Sequence, residues 1–183
     1  MEKVRLNNYF NKKYNPGSVF KRFLWYITNV LFFKSSVPYP YFLKLALLRI
    51  FGAKVGKRVV IKPCVNIKYP WFLKIGKNSW IGENVWIDNL ADVIIGKNAC
   101  ISQGAMLVTG NHNYKKQSFD LILGKIILEE GVWIGAKALV CPGVICKSHS
   151  VLTTGSVATE NLMSYGIYQG NPAQFKKKRV IES

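Results

Sequence analysis

Aliphatic residues recur at every sixth position of the chain from Val55 onward. They form five sets of three, namely Val55, Ile61 and Ile67; Ile75, Ile81 and Ile87; Ile95, Ile101 and Leu107; Leu128, Ile134 and Val140; and Cys146, Leu152 and Ala158. A glycine often follows the aliphatic residue, and this period is too short for helices. It predicts a short strand and a corner, repeated three times in each triangular coil. The expected fold is mainly β, a parallel β-helix of about five coils rather than a β-sandwich, because strict alternation is absent.

The breaks in this period indicate where a binding site lies. Eight residues separate Ile67 from Ile75 and Ile87 from Ile95, and twenty-one separate Leu107 from Leu128. Each break follows a completed set of three hexads, so the insertions should fall on one corner of successive coils. Insertions on one face of a solenoid usually mark its binding face. We therefore expect the long excursion, residues 111–127, to stand beside that face.

The rest of the chain divides into two flanking segments. Residues 1–54 are basic and aromatic, and two stretches within 19–33 and 41–51 show helical apolar spacing. We expect these helices to cap the β-helix of residues 55–160, or to lie at an anionic membrane surface, or both. Residues 161–183 are expected to form a short C-terminal helix or a tail.

Composition narrows the classes of partner. The 183 residues carry 26 Lys plus Arg against 9 Asp plus Glu, a formal charge of +17, and 49% of them are hydrophobic. One folded domain is expected, and the charge favours a polyanionic partner, an anionic membrane or phosphorylated ligands. Nucleic acid is not expected, since no recognition motif accompanies the charge.

The same sequence predicts a cytoplasmic protein, with peripheral contact to the inner face of the membrane as an option. The longest uncharged apolar stretch, residues 23–33, is well short of the roughly 20 residues that span a bilayer, and no signal-peptide cleavage pattern follows it. Cysteines at 64, 100, 141 and 146 form no CxxC pair, so reduced thiols are expected.

Three motifs carry a family resemblance: TGNHNY at 109–114, VWIGAKALVCPGV at 132–144, and GNPA at 170–173. With the hexads, they resemble the hexapeptide-repeat acyltransferases over residues 55–179. The basic, aromatic N-terminal segment is most similar to the polysaccharide O-acetyltransferases of the colanic-acid-biosynthesis type. The resemblance implies a left-handed β-helix, a homotrimer with sites between subunits, and acetyl-CoA as co-substrate.

His112 is the predicted general base. An alcohol becomes a competent nucleophile only as its proton leaves, so acyl transfer to a hydroxyl needs a base, and His112 lies in the excursion and matches the loop histidine of the resembled family. The other histidine, His149, sits at a corner within the regular repeat and is expected to be a solvated imidazole without a catalytic role. Two histidines cannot supply the three ligands of a catalytic zinc, so no metal is expected. Candidates for orienting His112 are Asp120, Glu129 and Glu130.

The acceptor site is predicted from residues near the excursion. The resemblance places Trp133 on its wall, although Trp133 could equally pack on the outer face. Three further residues could hold sugar hydroxyls or could cap corners by bonding local backbone, namely Asn84, Asp88 and Asn89. A backbone N–H near Gly135 or Ala136 is a candidate oxyanion donor.

The coenzyme site is predicted at the C-terminal coils. The resemblance gives the cations after GNPA a role at the nucleotide phosphates, although charge runs are often merely solvated; they are Lys176, Lys177, Lys178 and Arg179. It also places four residues beside the pantetheine arm, namely Ala136, Lys137, Thr153 and Thr154. The expected activity is acetyl-CoA-dependent O-acetylation of a sugar hydroxyl in polysaccharide synthesis, such as capsule, exopolysaccharide or O-antigen. Alternatives are N-acetylation of an amino sugar nucleotide, or a non-catalytic scaffold that binds a membrane or a partner.

Overall fold

Five complete coils of parallel β-strands make up the body of the molecule, and a sixth is begun. The computed structural model describes residues 3–11 and 14–182. Each coil contributes one strand to each of three faces. Face A contains β1 (Lys54–Val55), β4 (Leu73–Ile75), β7 (Val93–Ile95), β12 (Ile126–Leu128) and β15 (Ile145–Cys146). Face B contains β2 (Val60–Ile61), β5 (Trp80–Ile81), β8 (Cys100–Ile101), β13 (Trp133–Ile134), β16 (Val151–Leu152), β18 (Gly166–Gly170) and β19 (Ala173–Lys178). Face C contains β3 (Asn66–Ile67), β6 (Trp86–Asp88), β9 (Met106–Val108), β14 (Leu139–Val140) and β17 (Val157–Ala158).

The hexad residues form ladders inside this prism. In face B, for example, Ile61, Ile81, Ile101, Ile134 and Leu152 are aligned on successive strands. All fifteen hexad positions except the half-buried Val55 are buried. The predicted β-helix is confirmed, and the aliphatic period of six is the pattern that places its core.

Asparagines hold the corner between faces A and B. Asn78 and Asn98 adopt left-handed backbone with φ of 59° and 56°, which asparagine tolerates better than most residues. Their amides also form a ladder between coils: Arg58 Nε donates to Asn78 Oδ1 at 2.8 Å, Asn78 Nδ2 to Asn98 Oδ1 at 3.1 Å, and Asn98 Nδ2 to Glu130 Oε1 at 3.3 Å. The repeated GKN sequence therefore serves both the turn and the stacking.

Two helices pack on the first coil. Helix α1 (Val19–Thr28) begins at Ser18, whose Oγ accepts from the Lys21 N–H, and ends in a π-helical turn over Asn29–Phe33. Helix α2 (Tyr41–Ile50) follows. Trp25 Nε1 donates to the Ile67 carbonyl at 2.8 Å, and the buried Lys44 Nζ donates to the Lys62 carbonyl at 3.0 Å. Burial lowers the pKa of Lys44. No helix within residues 3–11 and 14–182 is long and apolar enough to cross a membrane.

The C-terminal segment forms a β-hairpin, so the predicted helix or tail is wrong. β18 pairs in parallel with β16, and β19 pairs antiparallel with β18. The open edge of β16 offers unpaired backbone groups, and a strand can satisfy them where a helix cannot. Tyr168 on β18 is buried and continues the core.

Candidate active site

The corner between faces C and A carries all three insertions. They comprise residues 68–72, 89–92 and 109–125, the last containing an antiparallel hairpin of β10 (Gly110–His112) and β11 (Leu121–Leu123). Ile126 and Ile127, which the sequence boundaries assign to the excursion, belong instead to β12. Both pair with face-A neighbours in the regular coil. The excursion is therefore a short arm on the corner between faces C and A. We call this corner the decorated corner, because it carries the insertions.

His112 is held by the turn at the tip of this arm. Its Nδ1 lies 2.8 Å from the Phe119 carbonyl oxygen, and the two rings stack 4.4 Å apart at an interplanar angle of 7°. A carbonyl oxygen only accepts, so Nδ1 carries the proton and donates it. The neutral ring then presents an unprotonated Nε2, which is the atom that a general base requires.

The carboxylates predicted as candidates for orienting His112 are engaged elsewhere. Asp120 pairs with Lys116 at 2.9 Å, and this hydrogen bond lowers the pKa of Asp120. Glu129 Oε2 accepts from Ser148 N and Oγ, both at 2.8 Å. Glu130 pairs with Lys97 at 3.0 Å. A backbone carbonyl has taken the orienting role, which no pattern of side chains in the sequence could indicate.

An apolar cavity of about 380 Å³ opens beside His112, lined by Leu6, Tyr9, His112 and Phe119. The Tyr9 ring lies 5.9 Å from the His112 ring. The Arg5 N–H donates to the Gln117 carbonyl at 2.9 Å and ties the N-terminal segment to the arm. Sequence reasoning missed Leu6, Tyr9 and Phe119, because they belong to no motif and meet His112 only through the tertiary fold.

The three residues predicted to bind the acceptor lie at two different corners of the prism. Asn89 is buried and bonded on both sides: its Oδ1 accepts from Tyr69 N at 3.0 Å and its Nδ2 donates to the Tyr69 carbonyl. It caps a corner and is not available to an acceptor, so that assignment is wrong. Asn84, with φ of 57°, lies at the B–C corner. Asp88 lies at the decorated corner, half-buried and 3.1 Å from Lys68 Nζ.

Trp133 lies on the outer surface of face B. Its side chain is 45% exposed, and Nε1 donates to Ser102 Oγ at 2.9 Å. In a three-sided prism face B is opposite the C–A corner, where His112 stands. One chain therefore does not bring Trp133 and His112 into a single site.

The four residues predicted for the pantetheine arm do come together. Ala136 and Lys137 follow β13, and Thr153 and Thr154 follow β16, so all four lie at the B–C corner of neighbouring coils. The Gly155 N–H donates to the Ala136 carbonyl at 2.8 Å and links the two turns. The GNPA turn reaches the same corner, because the Gly170 N–H donates to Ser156 Oγ at 3.0 Å.

The basic run divides into free and engaged cations. Lys176 and Lys177 are exposed on β19. Arg179 is half-buried, and its Nη1 donates to the Gly131 carbonyl at 3.0 Å and the His149 carbonyl at 3.2 Å. Through Nη1, Arg179 fastens the hairpin to the corner between faces A and B, and its role at the nucleotide phosphates stays a prediction.

A β-helix of hexapeptide coils whose protruding arm presents a free imidazole nitrogen defines the class of hexapeptide-repeat acyltransferases. Comparison with known proteins supports this assignment. The Escherichia coli (strain K12) protein named as a colanic acid biosynthesis acetyltransferase, WcaF, is 35% identical over 169 residues, which cover 92% of this chain and 93% of that protein. No family model matches the chain.

Solved structures agree on the fold. A hexapeptide-repeat acetyltransferase of Vibrio cholerae, complexed with acetyl-CoA, has a TM-score of 0.80 at 20% identity over 91% of this chain and 93% of that one. A galactoside acetyltransferase in complex with coenzyme A has a TM-score of 0.76 at 25% identity over 86% of this chain and 80% of that one. The chain belongs to the hexapeptide-repeat acetyltransferase family, is an acyltransferase, and has the family's left-handed β-helix.

Proposed function

We propose that this enzyme transfers the acetyl group of acetyl-CoA to a sugar hydroxyl in the synthesis of a surface polysaccharide, with His112 as the general base. The observation that carries the proposal is the 2.8 Å contact between His112 Nδ1 and the Phe119 carbonyl, which leaves Nε2 free to accept a proton. The relative named for colanic acid biosynthesis and the galactoside acetyltransferase support a carbohydrate acceptor.

The reaction is a direct transfer. The acceptor oxygen attacks the thioester carbonyl as Nε2 of His112 takes its proton, and the tetrahedral intermediate then expels the CoA sulfur. The imidazolium returns the proton to that sulfur, so the base is regenerated. Of the two candidate oxyanion donors, the Gly135 N–H is already bonded to the Leu152 carbonyl at 2.7 Å, which favours Ala136.

Acetyl-CoA is proposed to lie along the B–C corner. Ala136, Lys137, Thr153 and Thr154 line this edge, and Lys176, Lys177 and Arg179 are the cations proposed for the phosphates. This edge borders face B, which also carries Trp133. We propose that the arm of a second subunit brings His112 to this face, so that the active unit is a homotrimer with sites between subunits.

The test compares two histidine-to-asparagine variants. His112→Asn should lower kcat by about 10²- to 10⁴-fold, the usual contribution of a general base, with little change in the KM for acetyl-CoA. His149→Asn is the matched control, because asparagine tolerates the φ of 60° at that position, and it should retain activity. CoA release is measured with a panel of glycosides and amino sugars. Equal activity in both variants would remove His112 from the mechanism.

A second measurement tests the co-substrate alone. Acetyl-CoA and CoA should raise the melting temperature in a saturable way, because a ligand that binds only the folded state stabilises it. A thioester without phosphates should not do so at the same concentration. Absence of any shift at millimolar CoA would contradict the proposed coenzyme site.

A further inference from the structure

Helix α1 exposes an apolar face to solvent. Side chains of Val19, Phe20 and Phe23 are 73%, 71% and 58% exposed, and the same side of the helix continues through Ile27 and Leu31 at 40% and 53%. The opposite side is apolar as well, since Trp25 and Phe33 are buried against the first coil. A helix that is apolar on its packed side normally turns polar residues outward, so a continuous exposed apolar face indicates an interaction surface.

A basic cavity of about 490 Å³ lies directly beside this face, between α1 and face C of the first two coils. Its cations are Arg22, Lys34 and Lys68, and its rim includes Val19 and Phe23 of the exposed face. Cationic and apolar surfaces therefore meet at one edge of the helix.

The cations of this cavity are incompletely neutralised. Lys68 pairs with Asp88 at 3.1 Å, whereas Arg22 and Lys34 take no part in the ion pairs found among the described residues. Among the described residues, Arg22 Nε is a buried atom that has no hydrogen-bond partner. A buried guanidinium N–H that lacks an acceptor is costly, so the cavity is suited to an anion.

Charge distinguishes the candidates for covering this surface. Residues 1–60 contain twelve Lys plus Arg and a single acid, Glu2. A second copy of the chain would bring the same excess of positive charge to the contact, which opposes association through this face. An anionic bilayer offers both an apolar interior for the phenylalanines and phosphate groups for the cations.

We propose that α1 docks on an anionic membrane surface, with its exposed apolar face in the interfacial region and a lipid phosphate in the cavity of Arg22 and Lys34. The proposed docking does not depend on whether the protein transfers an acetyl group. It would hold the decorated corner near the bilayer, because Lys68 belongs to the first insertion of that corner and the His112 arm is its third. The two insertions are two coils apart, roughly 10 Å along the axis.

Vesicle flotation of the purified full chain tests the apolar contribution. The protein should float with vesicles of phosphatidylcholine and phosphatidylglycerol and much less with phosphatidylcholine alone. Phe20→Gln/Phe23→Gln should weaken binding by about tenfold or more, given the transfer free energy of two phenylalanines. Ile181→Gln is the matched control, because Ile181 is also exposed, at 55%, but lies at the far end of the chain. It should bind as the unmodified chain does.

A second variant tests the phosphate site. Arg22→Gln/Lys34→Gln should lose most of the preference for phosphatidylglycerol, and binding by the unmodified chain should weaken in 0.5 M salt, since screening acts on exposed charge. Lys57→Gln, an exposed lysine outside the cavity, should keep the preference. Melting temperatures of the variants verify that they are folded. The proposal is overturned if the unmodified chain does not float, if it floats equally with neutral vesicles, or if the phenylalanine variant alters only the oligomeric mass in solution.

Discussion

A single turn residue, Phe119, sets both the orientation and the proton location of His112. Phe119 has φ of 52°, a left-handed backbone conformation that is rare for a bulky residue. That conformation accompanies the contact of its carbonyl with Nδ1 and the stacking of its ring on the imidazole. Strain of this kind persists only where the surroundings hold it, and it is concentrated at functional sites.

We therefore predict that Phe119 acts as a positioning residue. Phe119→Ala keeps the carbonyl but removes the ring, and should lower kcat by about tenfold, because loss of alignment near the reacting atoms is costly. The KM for acetyl-CoA should change little, since Phe119 is not among the residues proposed to hold the coenzyme. Phe119→Tyr should restore most of the rate by restoring the stack. An alanine variant as active as the unmodified enzyme would contradict this role.

Burial in the hydrophobic core suppresses the ionisation of the Cys146 thiol. It is fully buried in the aliphatic ladder, and burial raises the pKa of its thiol to about 12. Above the ordinary thiol pKa the unfolded chain loses this proton and the folded chain keeps it, so stability should fall as pH rises above about 9. Relative to Cys146→Ala, the free energy of unfolding should decline by up to about 1.4 kcal/mol per pH unit there. Urea denaturation of both proteins from pH 8 to 10.5 measures this decline. Parallel plots of the free energy of unfolding against pH would contradict the prediction.

At the scale of elements, the spacing between coils depends on glycines at the corners. A Cβ on Gly96 would lie 2.6 Å from the carbonyl carbon of Glu129 in the next coil, whereas a Cβ on Gly143 would meet nothing within 4 Å. These backbone atoms of the next coil cannot move aside as the end of a flexible side chain can. The hexad glycines therefore allow close stacking in addition to forming turns.

Gly96→Ala should consequently destabilise the fold much more than Gly143→Ala. The first forces neighbouring coils apart, which we expect to cost about 3 kcal/mol or more, at the upper end of overpacking. The second only places alanine at a φ of 85°, at roughly 1–2 kcal/mol. Urea midpoints and m-values compare the two variants. A loss for Gly96→Ala no larger than that for Gly143→Ala would contradict close contact between coils as the reason for glycine at position 96.

At the scale of the whole molecule, the proposed site is divided between opposite sides of the prism. His112 stands on the C–A corner and Trp133 on face B, with Ala136 and Lys137 at the edge of that face. In a cyclic assembly, the same contact between the His112 side of one subunit and face B of the next can be repeated around the ring. The proposed homotrimer would complete the site by bringing the His112 arm of one subunit to face B of another.

Subunit mixing tests this arrangement. His112→Asn and Trp133→Ala should each be nearly inactive as pure assemblies. When they are denatured together in equal amounts and refolded, about one quarter of the sites should combine an intact His112 with an intact Trp133 from different subunits. Activity near that fraction is expected in a glycoside acetylation assay, with separately refolded variants mixed afterwards as the control. No recovery would mean that both residues act within one subunit, whereas a fully active Trp133→Ala assembly would mean that Trp133 only packs on the outer face.

The sequence by itself determined the β-helix, the hexad core and the corner that carries the insertions, because a period of six and its breaks are local properties of the chain. It also singled out His112 and, through the resemblance, the residues of the B–C corner. Only the tertiary structure decided that a carbonyl orients His112, that Asn89 caps Tyr69, and that Arg179 fastens the C-terminal hairpin. These contacts join residues that are distant in sequence or use backbone atoms common to every residue. A pattern of side chains does not encode them, and they form only when the coils stack.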